Sequence, residues 1–194
     1  MKIIAINGSS RKDGNTAIML NIVLKELEKE GIETKLIQLA NHAIQPCKAC
    51  FTCGNKGNCS FQQDMFYETF EKIKEADGIL LGSPVYSADV SSNMKAFIDR
   101  AAVVADMNPG ILKHKVAAGI VACRRGGAVN AFDTLNHFFL NHEMFVVGST
   151  YWNIGYGQIP GDVLKDEEAM ENMKNLGQNI AFLLKMNKEE KKNG

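Results

Sequence analysis

Short apolar runs recur along the chain, each broken by a polar, small-residue stretch and followed by apolar positions spaced three and four apart. The run at 2–7 (Lys-Ile-Ile-Ala-Ile-Asn) and those at 78–82, 115–122 and 144–148 carry almost no polar position. Runs of that kind predict buried parallel strands covered on both faces. The stretch 34–39 alternates instead, Thr-Lys-Leu-Ile-Gln-Leu, and predicts a second strand at a sheet edge. Between the first two strands, Ala17, Leu20, Leu24 and Leu27 among Lys25, Glu26 and Glu28 mark an amphipathic helix ending near Gly31. Further helices are predicted over about 65–75, with Asp64 as cap, and over about 92–104, 129–142 and 166–184. The stretches 40–62 and 149–161 read as loops, the second rich in aromatics and glycine, and a Lys/Glu-rich tail after Met186 is expected to fray.

Strands alternating with helices imply an α/β chain folded as a doubly wound three-layer sandwich around a parallel sheet. Five strands suit the flavodoxin-like order 2-1-3-4-5. One domain is expected over 1–186, with 40–62 as a loop after strand 2 and 187–194 as a charged tail. In such sheets a ligand sits beyond the carboxyl ends of the strands, where the order reverses between strands 1 and 3. Three unusual loops should meet there, at 8–16, 83–87 and 123–127.

The first of them, Gly8-Ser9-Ser10-Arg11-Lys12-Asp13-Gly14-Asn15-Thr16, leads from strand into helix. Backbone N–H groups at a helix start lack intrahelical partners and sit at the positive end of the dipole, so they hold an anion. Ser9, Ser10, Asn15 and Thr16 add side-chain donors, and Arg11 adds charge. Five residues separate Gly8 from Gly14, and Asn15 stands where a nucleoside-triphosphate loop needs lysine. No G-x-G-x-x-G follows the strand either, which disfavours a dinucleotide pyrophosphate. A terminal monophosphate such as that of FMN remains, with an ordinary βα turn as the alternative.

Lysine plus arginine and aspartate plus glutamate are both 22, so the formal net charge is zero and nothing favours nucleic acid or an anionic membrane. No apolar run approaches a membrane span and no signal-peptide pattern is seen, so a cytoplasmic location is expected. Four of the five cysteines fall in Cys47-x2-Cys50-x2-Cys53-x5-Cys59. In a reducing compartment such clustering favours metal ligation over disulfides. Three thiolates at successive intervals of three, with a fourth close by, suit an iron–sulfur cluster. Zinc, usually held by two C-x-x-C pairs across a longer spacer, and unligated cysteines are the alternatives. Cys123 reads as a packing thiol. His42, His114, His137 and His142 read as surface or helix-end groups, and no catalytic set suggests a hydrolase.

The motifs Gly8-Ser9-Ser10-Arg11, Gly14-Asn15-Thr16, Gly82-Ser83-Pro84-Val85-Tyr86 and Asn-Met-Lys-Ala-Phe-Ile-Asp-Arg at 93–100 resemble the NAD(P)H-dependent FMN reductase branch of the flavodoxin-like superfamily. The resemblance covers nearly the whole chain. It implies that Ser9, Arg11, Asn15 and Thr16 hold an FMN phosphate, with backbone donors from Ser10 and Gly14. Pro84, Val85, Tyr86 and Ser87 would flank the ribityl chain and one edge of the isoalloxazine. Arg124, Arg125, Gly126 and Gly127 would line the other edge, where N–H groups and a guanidinium stabilise reduced, anionic flavin. Tyr86 as a plain rim aromatic and the two arginines as surface charges are the alternatives.

The cysteine loop in turn resembles that of the iron–sulfur flavoproteins of anaerobic archaea and bacteria. This implies one FMN and one [4Fe–4S] cluster per chain, with Cys47, Cys50, Cys53 and Cys59 as ligands. It also implies a homodimer or homotetramer in which the cluster approaches a neighbour's flavin. The expected function is electron transfer between FMN and the cluster in a flavin oxidoreductase. Its redox partner would be one such as ferredoxin or NAD(P)H, or a small-molecule acceptor. The alternatives are an NAD(P)H-dependent FMN or quinone reductase with structural or vestigial cysteines, and a zinc-stapled or redox-sensing interaction module.

Overall fold

Every residue from Ile3 to Asn7 in strand β1 (Lys2–Asn7) is buried, because β1 has a parallel neighbour on each side and helices on both faces. The computed structural model describes residues 1–193, with side chains through 187. After β1 come α1 (Asn15–Lys29), β2 (Glu33–Gln38), α2 (Phe66–Glu75), β3 (Gly78–Pro84) and α3 (Ser92–Asp106). Then follow β4 (Val116–Cys123), α4 (Ala128–Asn141), β5 (Phe145–Val146), β6 (Ile154–Tyr156), a 3₁₀ turn at Asp162–Lys165 and α5 (Glu167–Asn193). The sheet order is β2-β1-β3-β4-β5, with β6 also on β4, and all of its pairings are parallel. This is the expected doubly wound order, with β2 at the edge.

Alternate residues of the central strands face two separate cores. Ile4, Ile6, Ile79 and Leu81 pack with Phe66 and Phe70 of α2, Met94 and Phe97 of α3, and Leu135 and Phe139 of α4. Ile3, Ala5, Leu80 and Ile120 pack with Leu20 and Val23 of α1 and Met173 and Leu176 of α5. The period of two in the strands therefore sorts the helices into the two outer layers. Among the described residues no helix is long and apolar enough to cross a membrane.

The fifth strand departs from expectation. Pairing with β4 is confined to Phe145–Val146, and it resumes only at Ile154–Tyr156, inside the stretch expected to be loop. Between the two, the edge of β4 is satisfied locally. Val147 N–H donates to Ala117 C=O (2.9 Å), the Asn153 amide donates to Gly119 C=O (3.1 Å), and Val121 N–H donates to Asn153 C=O (2.9 Å). One side chain thus replaces a missing strand donor, and the apolar run at 144–148 reads the same whether or not it stays in the sheet. At α2 the N-cap position is held by Met65 rather than Asp64, although Asp64 Oδ1 still accepts from Phe66 N–H (3.1 Å). His142 ends α4 as expected, yet it is buried rather than on the surface, edge-on to Phe138. Helix α5 runs past the expected end at 184, and from 188 onward the charged tail expected to fray lies outside the residues described with side chains.

Candidate flavin and cysteine sites

The chain leaves β1 still paired to β3, with Gly8 N–H donating to Gly82 C=O (2.8 Å). A Cβ on Gly8 would lie 2.9 Å from Met94 Cβ, so only glycine lets α3 pack this closely. The loop then curls on its own side chains. Asn7 Oδ1 accepts from Ser9 N–H (3.0 Å), and Ser9 Oγ accepts from Arg11 N–H (3.1 Å). Helix α1 begins from Gly14 with no side-chain cap. Its first intrahelical bond runs from Ile18 N–H to Gly14 C=O (3.1 Å), which leaves the Asn15, Thr16 and Ala17 N–H groups without helical partners. An uncapped helix start beside a guanidinium fits a phosphate group.

Ser9, Arg11, Asn15, Thr16, Pro84, Val85, Tyr86 and Arg124 line one cleft of about 200 Å³ at the carboxyl ends of β1, β3 and β4. Sharing Val85 and Arg124, it continues into an open hollow of about 330 Å³ lined also by Ser87, Cys123, Arg125 and Gly126. The three loops thus converge. Ser10 is exposed and Gly14 is the helix cap, and neither side of that pair lines the cleft. Gly127 also stands back. With φ of 82° and room for no Cβ against Ala88 Cα (2.8 Å), it holds the neighbouring turn instead. In that turn Tyr86 and Asp89 exchange backbone bonds (2.8 and 3.0 Å) around Ser87 and Ala88, both left-handed at φ 48° and 64°. Asn130 and Thr134 of α4 pin it, donating to Ala88 C=O (2.8 Å) and Asp89 Oδ1 (2.7 Å). Cys123 is buried and organises the opposite turn, its thiol donating to Gly126 C=O (3.1 Å) and accepting from Arg125 N–H (3.2 Å).

Sequence reasoning left out Gly157 and Gln158, which close the phosphate end of the cleft. Arg11 Nη1 donates to Gln158 C=O (3.0 Å). The Asn15 amide donates to Ile159 C=O (3.0 Å) and accepts from Gly161 N–H (2.9 Å), so its side chain staples this loop and its backbone N–H is what faces an anion. Asp162 accepts from Gln158 and Ile159 N–H (3.2 and 3.0 Å). The Ile159 N–H, then Lys165, holds the Asp162 carboxyl below its usual range. The glycine- and aromatic-rich composition of 149–161 was the available signal; nothing local says that it folds back over α1.

Cys47, Cys50, Cys53 and Cys59 line a single pocket of about 50 Å³ against Arg100, Val103 and Val104 of α3. Ala49 and Phe51, both left-handed (φ 48° and 54°), turn the chain between successive cysteines. Asn108 anchors the loop to the end of α3, donating to Cys53 C=O (3.0 Å) and accepting from Gly57 N–H (2.9 Å). Burial pushes the Cys53 thiol up, and Cys59, Cys47 and Cys50 push it the same way. Cys50 is exposed and its thiol is lowered, chiefly by the Thr52 hydroxyl 3.2 Å away. Among the described residues no three His, Cys, Asp or Glu side chains are gathered closely enough to hold a single metal ion. Four thiols lining one pocket are nonetheless the donor chemistry of a thiolate-ligated cluster, and they fit one.

Residues 1–158 match the family model for NADPH-dependent FMN reductase. The chain is 39% identical to an iron–sulfur flavoprotein of Methanocaldococcus jannaschii, over 97% of this chain and all of that one. It is 37% identical to an iron–sulfur flavoprotein of Archaeoglobus fulgidus, covering 93% of this chain and 94% of that one. Among solved structures it superposes on RosB with a TM-score of 0.76 at 18% identity, covering 97% of this chain and 81% of that one, a likeness of fold. The chain belongs to the iron–sulfur flavoprotein family, within the flavodoxin-like NADPH-dependent FMN reductase group.

Proposed function

We propose that this protein is a flavin oxidoreductase that passes electrons between FMN and a [4Fe–4S] cluster. The observation that carries the reading is that one helix serves two sites. At the start of α3, Ser91 Oγ donates to Gly8 C=O (2.6 Å) in the phosphate loop, and further along the same helix Arg100, Val103 and Val104 back the four cysteines. At 1.5 Å per residue, Ser91 and Arg100 are roughly 13 Å apart along the axis. Relatives named iron–sulfur flavoproteins support the cluster, and the FMN reductase model supports the flavin.

FMN, when bound, exchanges electrons singly or in pairs and the cluster exchanges them singly, so together they join a pair donor such as NAD(P)H to a single-electron partner such as ferredoxin. The chain's own residues hold and tune. Arg11 and the start of α1 bind the phosphate, while the turns at 85–88 and 124–126 orient the ring system. Arg124 brings positive charge to the cleft, which favours an electron-rich ligand. The titratable side chains of the two cleft linings are Arg11, Tyr86, Cys123, Arg124 and Arg125, and holding the flavin and tuning its charge is the role this reading gives the arginines. The proposal includes a homodimer or homotetramer, for which Phe51, 58% exposed on the cysteine loop, offers an apolar contact.

Anaerobic titration with dithionite tests this. Wild-type protein should take up about three electrons per chain, two on flavin and one on the cluster, and a variant with the four cysteines replaced by serine about two. Equal uptake by both would favour the second reading that the family model supports, an FMN or quinone reductase that does not use its cysteines.

A further inference from the structure

We infer that Arg100 is the positioning residue of the cysteine site, an inference that rests on reading the four cysteines as cluster ligands. One guanidinium reaches the chain on both sides of them. Nη1 donates to Gln45 C=O (3.2 Å) and to the Asp64 carboxylate (2.5 Å), and Nη2 donates to Phe61 C=O (3.1 Å). Gln45 lies just before Cys47 and Phe61 just after Cys59. Asp64 closes the ring by accepting from Gln45 N–H (2.9 Å). The loop is therefore pinched at its neck by an ion pair whose side chains are 2% and 6% exposed. The cation also lies over the rings of Phe66 and Phe61, 4.1 and 5.5 Å from their centroids.

The pinch answers a physical problem. A segment without regular structure must bring four thiols to one place, and joining its ends beforehand removes much of the entropy that ligation would otherwise cost. Lysine cannot substitute, because a single ammonium lacks the planar fork that reaches three acceptors in fixed directions. Charge matters as well. Arg100 lines the cysteine pocket and Asp64 does not, so the positive end of the pair faces the place where a thiolate-ligated, anionic centre would sit. Arg100 should thereby favour the reduced, more negative cluster.

Full-length wild type and Arg100→Lys, both prepared anaerobically, provide the test. The variant should keep its FMN and its far-UV circular dichroism while losing most of its iron. With iron chelated from both proteins, iodoacetamide should alkylate Cys47 and Cys59 about tenfold faster in the variant, as expected of a loop that opens more often. Iron that remains should show a more negative midpoint potential in Arg100→Gln than in wild type. Should Arg100→Lys not fold, the paired change Arg100→Met with Asp64→Leu removes both charges at similar bulk and should give the same alkylation. Wild-type iron content, alkylation and potential in the variants would overturn the inference. A wild type that takes up no iron would instead refute the cluster reading, and the alkylation rates would still decide whether Arg100 gathers the thiols.

Discussion

Arg100 Nη1 stands 2.5 Å from Asp64 Oδ2, with both side chains withdrawn from solvent at the neck of the loop that carries the four cysteines. Removing one partner leaves the other charge buried and unpaired. Asp64→Ala should therefore destabilise the fold by about 3–5 kcal/mol. The exposed pair Lys95–Asp99 is the control, and Asp99→Ala should cost no more than about 1 kcal/mol. Urea denaturation of the three proteins measures both.

Gly157 sits where a Cβ would be 2.7 Å from Asn15 Nδ2 and from Val163 N. Gly157→Ala forces the 157–163 loop off the start of α1, and overpacking of this kind costs about 1–3 kcal/mol. FMN binding, followed by quenching of flavin fluorescence, should weaken by about five- to a hundredfold, and the midpoint of thermal unfolding should fall by about 2–4 °C for each kcal/mol of that strain. Unchanged affinity would mean that this loop does not close over the ligand.

Arg11 is the cation in the lining of the phosphate end of the cleft, already oriented by Gln158 C=O. A hydrogen bond to a charged group is worth about 1.5–3 kcal/mol, so Arg11→Ala should weaken FMN by about ten- to a hundredfold. Riboflavin, which lacks the phosphate, should bind wild type and variant alike. Parallel titrations with the two flavins separate a phosphate contact from a general loosening of the site.

Burial is the main reason that the His142 imidazole has its pKa lowered from 6.5, with Asp106, 3.8 Å from Nδ1, opposing it. The folded protein then binds fewer protons than the unfolded chain just below that value, so stability rises with pH there. The contribution is fully present above pH 6.5 and is lost as pH falls through the lower, folded value. Denaturation midpoints measured between about pH 5 and 8 should fall on the acid side, and His142→Phe should flatten that fall.

The strands and their order were legible because a buried parallel strand leaves an unbroken apolar run that few other structures require. The converging loops followed from topology, and the cysteine spacing carried its chemistry openly. What the sequence hid were bonds between distant residues. Asn15 reads as a phosphate donor until its partners at 159–161, more than 140 positions away, come into view. Asp64 reads as a helix cap, and Arg100 as the last letter of a helical motif, yet each spends its charge on the other. The split of the fifth strand was equally hidden, since it depends on Asn153 filling the gap beside Gly119.

Flavin, iron and acid-labile sulfide analysis of one anaerobic preparation decides whether the chain holds both FMN and a cluster. One FMN with about four irons and four sulfides per chain is expected, and retention of FMN but no iron when Cys47, Cys50, Cys53 and Cys59 are all replaced by serine. Wild-type protein that carries FMN without iron or sulfide, or with stoichiometric zinc in their place, would contradict it.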